Sequence, residues 1–346
     1  MDRRDREATT GHSTAETCQV PCAWRRSFDI VAVLINLVPE FLAVLESSDR
    51  FAAFHRYLER HRPVLSAYWH NYVLDLDSMA AEGIIRGALA ADRSDLLALL
   101  DAANIEQLVQ DALSRAEDVL AIDRPTDCYL MVGMGAANAG ELVVGGRGVA
   151  FVCVEHFTGR ANPQTYGLGL PPQLMPLWVG HELAHTVRYT SPDSASDFRR
   201  LVHENAGNYD YWSTGSRVTL REHLVNEGLA VHAARAVSPG FDDSHYFGYT
   251  RRQSTRLREM EATLRRAVAS DLDRAALGLR LRYLSGGMSP ASRWYNGRIL
   301  PERSGYYLGY RMTEALVTER GIAAALRAPV EQFQTAEDLA RDIHTA

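Results

Sequence analysis

Two histidines four residues apart, with a glutamate beside the first, are the residues of this chain best suited to chemistry. They occur in residues 181–185, which read His-Glu-Leu-Ala-His. On a helix, residues four apart lie on one face, so His181 and His185 can present their imidazoles to a single Zn²⁺ ion. Glu182 then lies beside a water molecule bound to that ion. A metal-activated water with a neighbouring carboxylate predicts a hydrolytic site.

The residues before this motif indicate a buried helix. Residues 174–180 have no polar side chain, and Pro176 suits the first turn of a helix. On a buried helix the two histidines and Glu182 face inward, where polar groups need partners. A zinc ion with its water molecule satisfies all three side chains at once.

A third protein ligand is expected on a second helix, because a catalytic zinc usually has three protein ligands and one open position. Thr219 and Glu222 have the spacing of a capping box, which marks a helix start, and residues 223–237 continue as a helix. Glu227 lies in this run as a carboxylate among largely apolar neighbours, and it is the predicted third ligand. The alternative is a surface glutamate in a salt bridge.

Two histidines of the same helix are weaker candidates for metal binding. His223 lies one turn before Glu227 and is predicted to support the site from behind or to lie on the surface. His232 lies five residues after Glu227, so it points in another direction and is predicted to be structural.

The two motifs together resemble those of the gluzincin metallopeptidases, the thermolysin-like and aminopeptidase-like clan. In this chain they read His181-Glu182-x-x-His185 and Asn226-Glu227-x-x-Ala230. In that clan, two histidines and the glutamate of the second helix bind the metal. The resemblance spans roughly residues 128–316 and implies zinc bound by His181, His185 and Glu227, with a peptide or protein as substrate.

A third segment, residues 305–312, resembles the tyrosine-bearing helix of a bacterial family of predicted Zn-dependent proteases of unknown function. The clan's Tyr-x-x-Gly pattern selects Tyr306 with Gly309. The resemblance implies that the Tyr306 hydroxyl stabilises the oxyanion formed during hydrolysis. Helical geometry turns Tyr307 and Tyr310 to other faces, and the alternative is that the whole aromatic cluster packs in the core.

The chain departs from the clan pattern in two places. Many members have an acidic or hydroxyl residue that orients a zinc-bound histidine, where this chain has Ala230. Aminopeptidases of the clan also use a Gly-x-Met-Glu-Asn segment to hold the amino terminus of the substrate, and this chain has none. The second departure puts exopeptidase action in question.

The predicted reaction is peptide-bond hydrolysis by a metal-activated water. Zinc lowers the pKa of a bound water to about 7, and Glu182 acts as the general base that passes the proton to the leaving amine. One alternative is a zinc-dependent hydrolase of a small-molecule amide or ester. Another is a metal-stabilised binding module without turnover, although a purely structural zinc has a closed coordination shell and no use for Glu182.

The composition excludes several other classes of function. All 37 basic residues are arginine, so Schiff-base chemistry on lysine and a phosphate-binding P-loop are both excluded. The net charge of −6 predicts no nucleic-acid partner. Four scattered cysteines suit a reducing compartment, and Cys128 and Cys153 lie in apolar runs as predicted buried thiols.

The first residues of the chain predict neither export nor a membrane span. Residues 1–27 are predicted to form a disordered extension, and residues 24–28 only faintly resemble a twin-arginine signal. A span needs about 20 mostly apolar residues. The apolar run that follows is interrupted by Asp29, Asn36, Pro39 and Glu40. A cytoplasmic location is therefore predicted.

The predicted fold class is α+β and gluzincin-like, with zinc between two lobes. An amino-terminal mixed α/β lobe, residues 28–173, ends in a small, largely antiparallel sheet with a hairpin signal at residues 145–148, Gly-Gly-Arg-Gly. A helical lobe, residues 174–346, carries the zinc helices and the tyrosine segment. In the clan a strand before the zinc helix pairs with extended substrate, and residues 149–157 are the candidate, with an interior strand as the alternative.

Smaller elements are also predicted from the pattern. Residues 28–35 form a first strand, a helix from residue 39 breaks near Ser47, and residues 92–120 form one or two amphipathic helices. Residues 190–216 and 286–304 are predicted to be loops, the first bordering the substrate cleft.

Overall fold

Helices dominate the carboxy-terminal half of the chain, and strands occur mainly in the amino-terminal half. The computed structural model describes residues 32–73, 75–135, 137–209, 211–335 and 338–339. In chain order the first half contains β1 (Ala32–Asn36), α1 (Val38–Glu46), α2 (Arg50–Arg60), α3 (Arg62–His70), α4 (Met79–Ala90), α5 (Ser94–Ala102), α6 (Ile105–Leu120), β2 (Thr126–Met131), β3 (Ala139–Val144), β4 (Arg147–Cys153), β5 (Ala161–Asn162) and β6 (Gly167–Leu168). The second half contains α7 (Met175–Thr190), α8 (Asp197–Glu204), α9 (Leu220–Val237), α10 (Asp243–Phe247), α11 (Arg251–Glu259), α12 (Glu261–Ala269), α13 (Leu277–Leu284), β7 (Trp294–Tyr295), β8 (Arg298–Ile299), α14 (Ser304–Arg320) and α15 (Ile322–Arg327). The predicted α+β class with small sheets and a helical carboxy-terminal region is confirmed.

The main sheet has four strands in the order β1-β2-β4-β3, and it is mixed. The pairs β1/β2 and β2/β4 are parallel, and only β3/β4 is antiparallel. The prediction of a largely antiparallel sheet is therefore wrong. Every residue of β2 is buried, and so is all of β4 after its first residue, which is the continuous apolar pattern of parallel strands covered on both faces.

The hairpin between β3 and β4 is confirmed. Its two-residue turn consists of Gly145 and Gly146, with φ values of 58° and 79°. Positive φ at both central positions gives a turn whose twist matches the flanking strands, and glycine adopts it without a steric penalty. This hairpin makes β3 the edge strand of the sheet.

Strand β4 is interior, so the prediction that residues 149–157 pair with substrate is wrong. Its two sides are paired with β2 and β3, and the chain after it forms a 3₁₀ turn at Val154–Phe157. No hydrogen-bonding edge of β4 is left for an added strand. The alternative of an interior strand is confirmed.

Helix α7 carries residues 181–185 through the middle of the protein. Pro176 lies in its first turn, and every residue from Met175 to Tyr189 is buried. The helix packs against β3 and β4 and also against α6 and α9. The predicted buried helix is confirmed, and its burial on several sides explains why its apolar residues show no single hydrophobic stripe.

The segment between α7 and α9 is not the predicted loop throughout, because it contains α8. Ser196 begins this helix, and its side chain accepts a hydrogen bond from the backbone N–H of Arg199. Phe198 and Leu201 of α8 pack with Tyr209 in a second, smaller core. The helix is only eight residues long and is flanked by Ser, Asp and Asn. The polar composition of the whole segment therefore gave no indication of its apolar face.

The remaining predictions of elements are largely confirmed. The chain breaks after α1 near Ser47, α5 and α6 lie within residues 92–120, and the first strand is seen as β1. Residues 286–304 contain the short hairpin β7–β8. The predicted extension, residues 1–27, lies outside the described residues.

The described residues form one compact unit, and the lobe boundary at residues 173 and 174 stays a prediction. Across the described ranges, none of the helices combines the length and the apolar character needed to cross a bilayer.

Helices α9 and α14 touch at their backbones through two glycines. A Cβ atom on Gly309 would lie 1.9 Å from the carbonyl oxygen of Leu224, and one on Gly228 would lie 2.1 Å from the carbonyl group of Gly309. Any side chain at either position would therefore force the helices apart. This close approach fixes the distance between α9 and the first turns of α14.

We expect Gly309→Ala to lower the free energy of unfolding by about 2 kcal/mol or more, because the new methyl group overlaps backbone that has no room to move. Gly87→Ala is the matched control, since Gly87 is an exposed residue inside α4 with open space around its Cβ position. That change should stabilise the protein by about 0.5–1 kcal/mol. Denaturant titration measures both variants, and an equal response at the two positions would contradict the close approach of α9 and α14.

Candidate metal centre

The structure brings the predicted ligands from α7 and α9 to one place. Nε2 of His181 lies 3.3 Å from Oε2 of Glu227, and Nε2 of His185 lies 3.6 Å from the same oxygen. One ligand atom of each of His181, Glu182 and His185 also lies within 4.8 Å of the others. The side chains are nearly inaccessible, with exposed fractions of 2% for each histidine and 13% for Glu227.

These distances fit a shared cation better than direct hydrogen bonds. Ligands about 2.0–2.1 Å from a tetrahedral zinc ion are roughly 3.3 Å apart, close to the separations seen here. Oε2 of Glu227 is buried, yet no described residue gives it a hydrogen bond of acceptable geometry. Two imidazoles and one carboxylate are also the donor types that zinc accepts. The residues present therefore fit a zinc ion.

The protonation of the centre is set by burial and by mutual charge. Burial lowers the pKa of His181 to about 4, although Glu227 opposes this. For His185, burial alone would lower the pKa, but the carboxylates of Glu141, Glu227 and Glu182 outweigh it and raise the pKa to about 10. Burial would raise the pKa of Glu227, but the two histidines hold it well below its usual range. Binding of a metal ion at these side chains would need His185 in its neutral form, because an imidazole coordinates through an unprotonated nitrogen.

Glu182 is buried beside these groups. Its exposed fraction is 4%. Burial raises the pKa of its carboxyl group well above the usual range, and the neighbouring His185 opposes that shift. A carboxylate with a raised pKa is a stronger base than one in water.

Sequence reasoning missed Glu141, which β3 presents to the same centre. The Tyr189 hydroxyl donates to Oε1 of Glu141 at 3.0 Å, and Nδ2 of Asn226 donates to the Tyr189 oxygen at 2.9 Å. This chain of hydrogen bonds joins β3, α7 and α9 behind His185, whose ring lies nearly parallel to that of Tyr189. In the sequence, Glu141 is a single carboxylate near the start of an apolar strand and belongs to no motif, so nothing marked it as a site residue.

Among the three tyrosines of α14, Tyr306 is the one directed at the centre. Its ring lies 6.1 Å from the His181 ring at an angle of 25°. Burial, Glu227 and Glu182 raise the pKa of Tyr306, so its hydroxyl keeps its proton at neutral pH. Tyr307 instead donates to Glu261, and Tyr310 stacks on His232.

The two other histidines of α9 take no part in the centre. His223 is buried, and its Nε2 lies 2.8 Å from the carbonyl oxygen of Gly215, so the alternative that it lies on the surface is wrong. Burial lowers the pKa of His223 to about 3. His232 stacks on Tyr310 at 4.1 Å between ring centres, and it is structural as predicted.

A fully buried ion pair holds α7 against α9 one turn beyond the centre. The Arg188 guanidinium donates to Oε1 of Glu222 through Nε at 3.1 Å and through a terminal nitrogen at 2.7 Å. Arg188 also donates to the carbonyl oxygens of Leu326 and Ala328. Thr219 begins α9 by accepting from the backbone N–H of Glu222, so the predicted capping box is only half formed: the Glu222 side chain binds Arg188 instead.

The comparison with known proteins points to the same chemistry over part of the chain. Residues 198–335, less than half of the 346, match the sequence model of a family described as "Predicted Zn-dependent protease (DUF2268)". The matched range contains Glu227 and Tyr306 and begins after His185. No curated protein and no solved structure shows a match to this chain. The chain is therefore similar, in its carboxy-terminal part, to a family of predicted zinc proteases.

We expect Glu222→Ala to destabilise the protein by about 3–5 kcal/mol, because it leaves the Arg188 guanidinium buried without its carboxylate partner. Glu82→Ala is the matched control, since Glu82 pairs with Arg86 on the exposed face of α4. That change should alter the free energy of unfolding by less than about 1 kcal/mol. Denaturant unfolding of the two variants tests this, and similar losses would contradict a locking role for the buried pair.

Proposed function

We propose that this protein is a zinc-dependent metallopeptidase of the gluzincin type. The observation that carries the proposal is the convergence of His181, His185 and Glu227 from two helices, with both imidazole nitrogens within 3.6 Å of one carboxylate oxygen. Three protein ligands leave a fourth position for water or substrate, which is the arrangement of catalytic zinc sites. The family match over residues 198–335 supports the same reading.

Each side chain of the centre has a defined task in this proposal. His181, His185 and Glu227 would hold the zinc ion, which lowers the pKa of a bound water to about 7 and polarises the scissile carbonyl group. Glu182 would take a proton from the attacking water and pass it to the leaving amine. Burial raises the pKa of the Glu182 carboxyl group, which makes its carboxylate a stronger base than one in water.

The Tyr306 hydroxyl is the proposed donor to the oxyanion. The centre of its ring lies 6.1 Å from that of His181, so this tyrosine is beside the proposed ligands. A raised pKa keeps the proton on this oxygen at neutral pH. A hydrogen bond to developing negative charge in a water-poor site stabilises the transition state more than the substrate.

A peptide is the favoured substrate over a small amide or ester. The edge strand β3 presents Glu141 to the centre, and its residues 142–144, further along the strand, line a groove of about 530 Å³ together with α3, Tyr209 and Tyr211. Tyr209 already pairs with Val143 at one end of the strand, which leaves the part of β3 nearer to Glu141 as the available edge. Extended peptides bind to such edges through main-chain hydrogen bonds.

Replacing Glu182 separates metal binding from turnover. We expect Glu182→Gln to retain zinc and to lower kcat by about 10²–10⁴-fold, because the amide cannot accept the proton. Cleavage-site profiling with a diverse peptide library measures turnover, and elemental analysis of the same sample measures zinc. Glu259→Gln, on the exposed end of α11, is the control and should cleave like the unaltered protein. Full activity of Glu182→Gln would refute its role as the base.

Replacing Glu227 should weaken the metal site itself. We expect Glu227→Ala to lower zinc affinity at least about tenfold, since even outer partners of metal ligands contribute that much. The zinc content after dialysis against a weak chelator measures the loss. Zinc should also raise the Tm of the unaltered protein and raise that of Glu227→Ala less at the same concentration. Equal zinc retention in both proteins would exclude Glu227 as a ligand.

A further inference from the structure

Arg303, immediately before α14, has a backbone that its neighbours hold in an unfavourable conformation. Its φ is +54°, in the left-handed region that disfavours residues with a side chain. Such a conformation persists only where the surroundings enforce it, and it is common at functional sites. The Tyr249 hydroxyl donates to the carbonyl oxygen of Arg303 at 2.6 Å. Arg303 makes no side-chain capping hydrogen bond to α14, so a role in starting that helix does not explain its position.

The side chain of Arg303 lies beside the candidate metal centre, next to two aromatic residues that are themselves next to His181. Its guanidinium carbon lies over the Tyr306 ring, 4.4 Å from the ring centre, and the Tyr306 and His181 ring centres are 6.1 Å apart. A Cβ atom on Gly248 would lie 2.9 Å from a terminal nitrogen of Arg303 and 3.3 Å from the Trp178 ring. The Trp178 ring centre is in turn 5.3 Å from that of His181. Two separate sets of contacts therefore place the guanidinium one side chain away from His181.

The residues on this side of the centre are reached by solvent. The two histidines and Glu182 are buried, whereas Glu227 retains an exposed fraction of 13%. Tyr306 and Arg303 are half-buried, and Gly248 beside them is exposed. A substrate that enters the centre from this side would therefore touch the guanidinium.

The charge of Arg303 has no carboxylate partner in the described part of the chain. The guanidinium makes one hydrogen bond, to the carbonyl oxygen of Gly248 at 3.3 Å, and the adjacent Glu302 pairs with Arg293 instead. Arg188, by contrast, is occupied by a buried carboxylate and two backbone carbonyl groups. A guanidinium has five N–H donors in a planar fork that matches a carboxylate. Most donors of Arg303 are therefore available to a ligand.

We propose that Arg303 binds a carboxylate of the substrate, so that the protein prefers peptides that carry such a group close to the scissile bond. The inference rests on the proposed function and names the substrate class of that site. Glu141, Glu182 and Glu227 would repel a substrate carboxylate, so an acidic peptide needs a cation outside the metal ligands. An acidic side chain and the free carboxyl end of a peptide both accept two parallel hydrogen bonds from a guanidinium.

Matched peptides test this preference and identify the source of the carboxylate. A neutral, amidated peptide that the protein cleaves is remade with Glu in place of Gln at each position flanking the scissile bond, and separately with a free carboxyl end. The unaltered protein should cleave at least one of the carboxylate peptides with a kcat/KM about 10–100-fold higher, as expected for a hydrogen-bonded charge. Equal values of kcat/KM within every pair would overturn the proposal.

Variants at Arg303 should change the ratio of kcat/KM between the two members of the preferred pair. Arg303→Met should remove most of the preference, and so should Arg303→Gly, which adopts the positive φ without strain. Arg303→Lys retains the charge but not the fork and should keep part of it. Arg311→Met, which removes an exposed arginine of α14 paired with Glu314, is the control and should keep the full ratio. Because each ratio is measured within one protein, differences in folding or zinc content cancel, and an unchanged ratio in Arg303→Met would refute the carboxylate contact.

A binding measurement separates this inference from the proposed function. By calorimetry, the zinc-loaded Glu182→Gln protein should bind the carboxylate peptide about 10–100-fold more tightly than its neutral partner, and added Arg303→Met should abolish the difference. If the unaltered, zinc-loaded protein cleaves no peptide, the proposed function fails. The same comparison is then made with alanine hexapeptides that carry a central Glu or Gln, or a free or amidated carboxyl end. Equal binding within both pairs would show that Arg303 does not bind a carboxylate.

Discussion

The carboxylate of Glu227 lies between two imidazoles in a place that protein groups alone do not satisfy. Its inward oxygen is 3.3 Å and 3.6 Å from the two Nε2 atoms and has no well-aligned donor in the described chain. A buried polar atom in that condition is costly unless something else binds it. The rest of the structure is arranged so that this convergence is maintained, because α7, α9 and α14 each contribute one side of it.

Helix α9 is in contact with both α7 and α14 and sets the positions of both. The Arg188–Glu222 pair holds it against α7 through charge, and Gly228 with Gly309 holds it against α14 through direct backbone contact. The buried ion pair tolerates no loss of a partner, and the glycine contact tolerates no added atom. Since Glu227 lies between these two contacts on α9, its carboxylate is placed relative to His181 on one side and Tyr306 on the other.

The parts of the site that local sequence signals could predict are those that lie within one helix or one turn. The spacing of His181 and His185, the helix start at Thr219 and the glycine turn after β3 each involve neighbouring residues, and the structure contains all three. The pairing of β1 with β2 joins residues about 90 positions apart, so no local pattern specified that the sheet is mainly parallel. Glu141 and Arg303 escaped prediction for the same reason, because each reaches the centre only through tertiary contacts.

The charges around the centre suit the proposed binding of a divalent cation. Glu141, Glu182 and Glu227 together raise the pKa of His185 to about 10. When His185 is not protonated, the neighbouring residues do not neutralise all of this carboxylate charge. Arg303 supplies one positive charge from the side of Tyr306. In the proposed site a divalent cation would balance more of this negative charge than a single proton does, and the buried surroundings screen the attraction little. Metal binding at the proposed site would therefore be linked to the stability of the folded state, since the carboxylates that attract the ion repel one another without it.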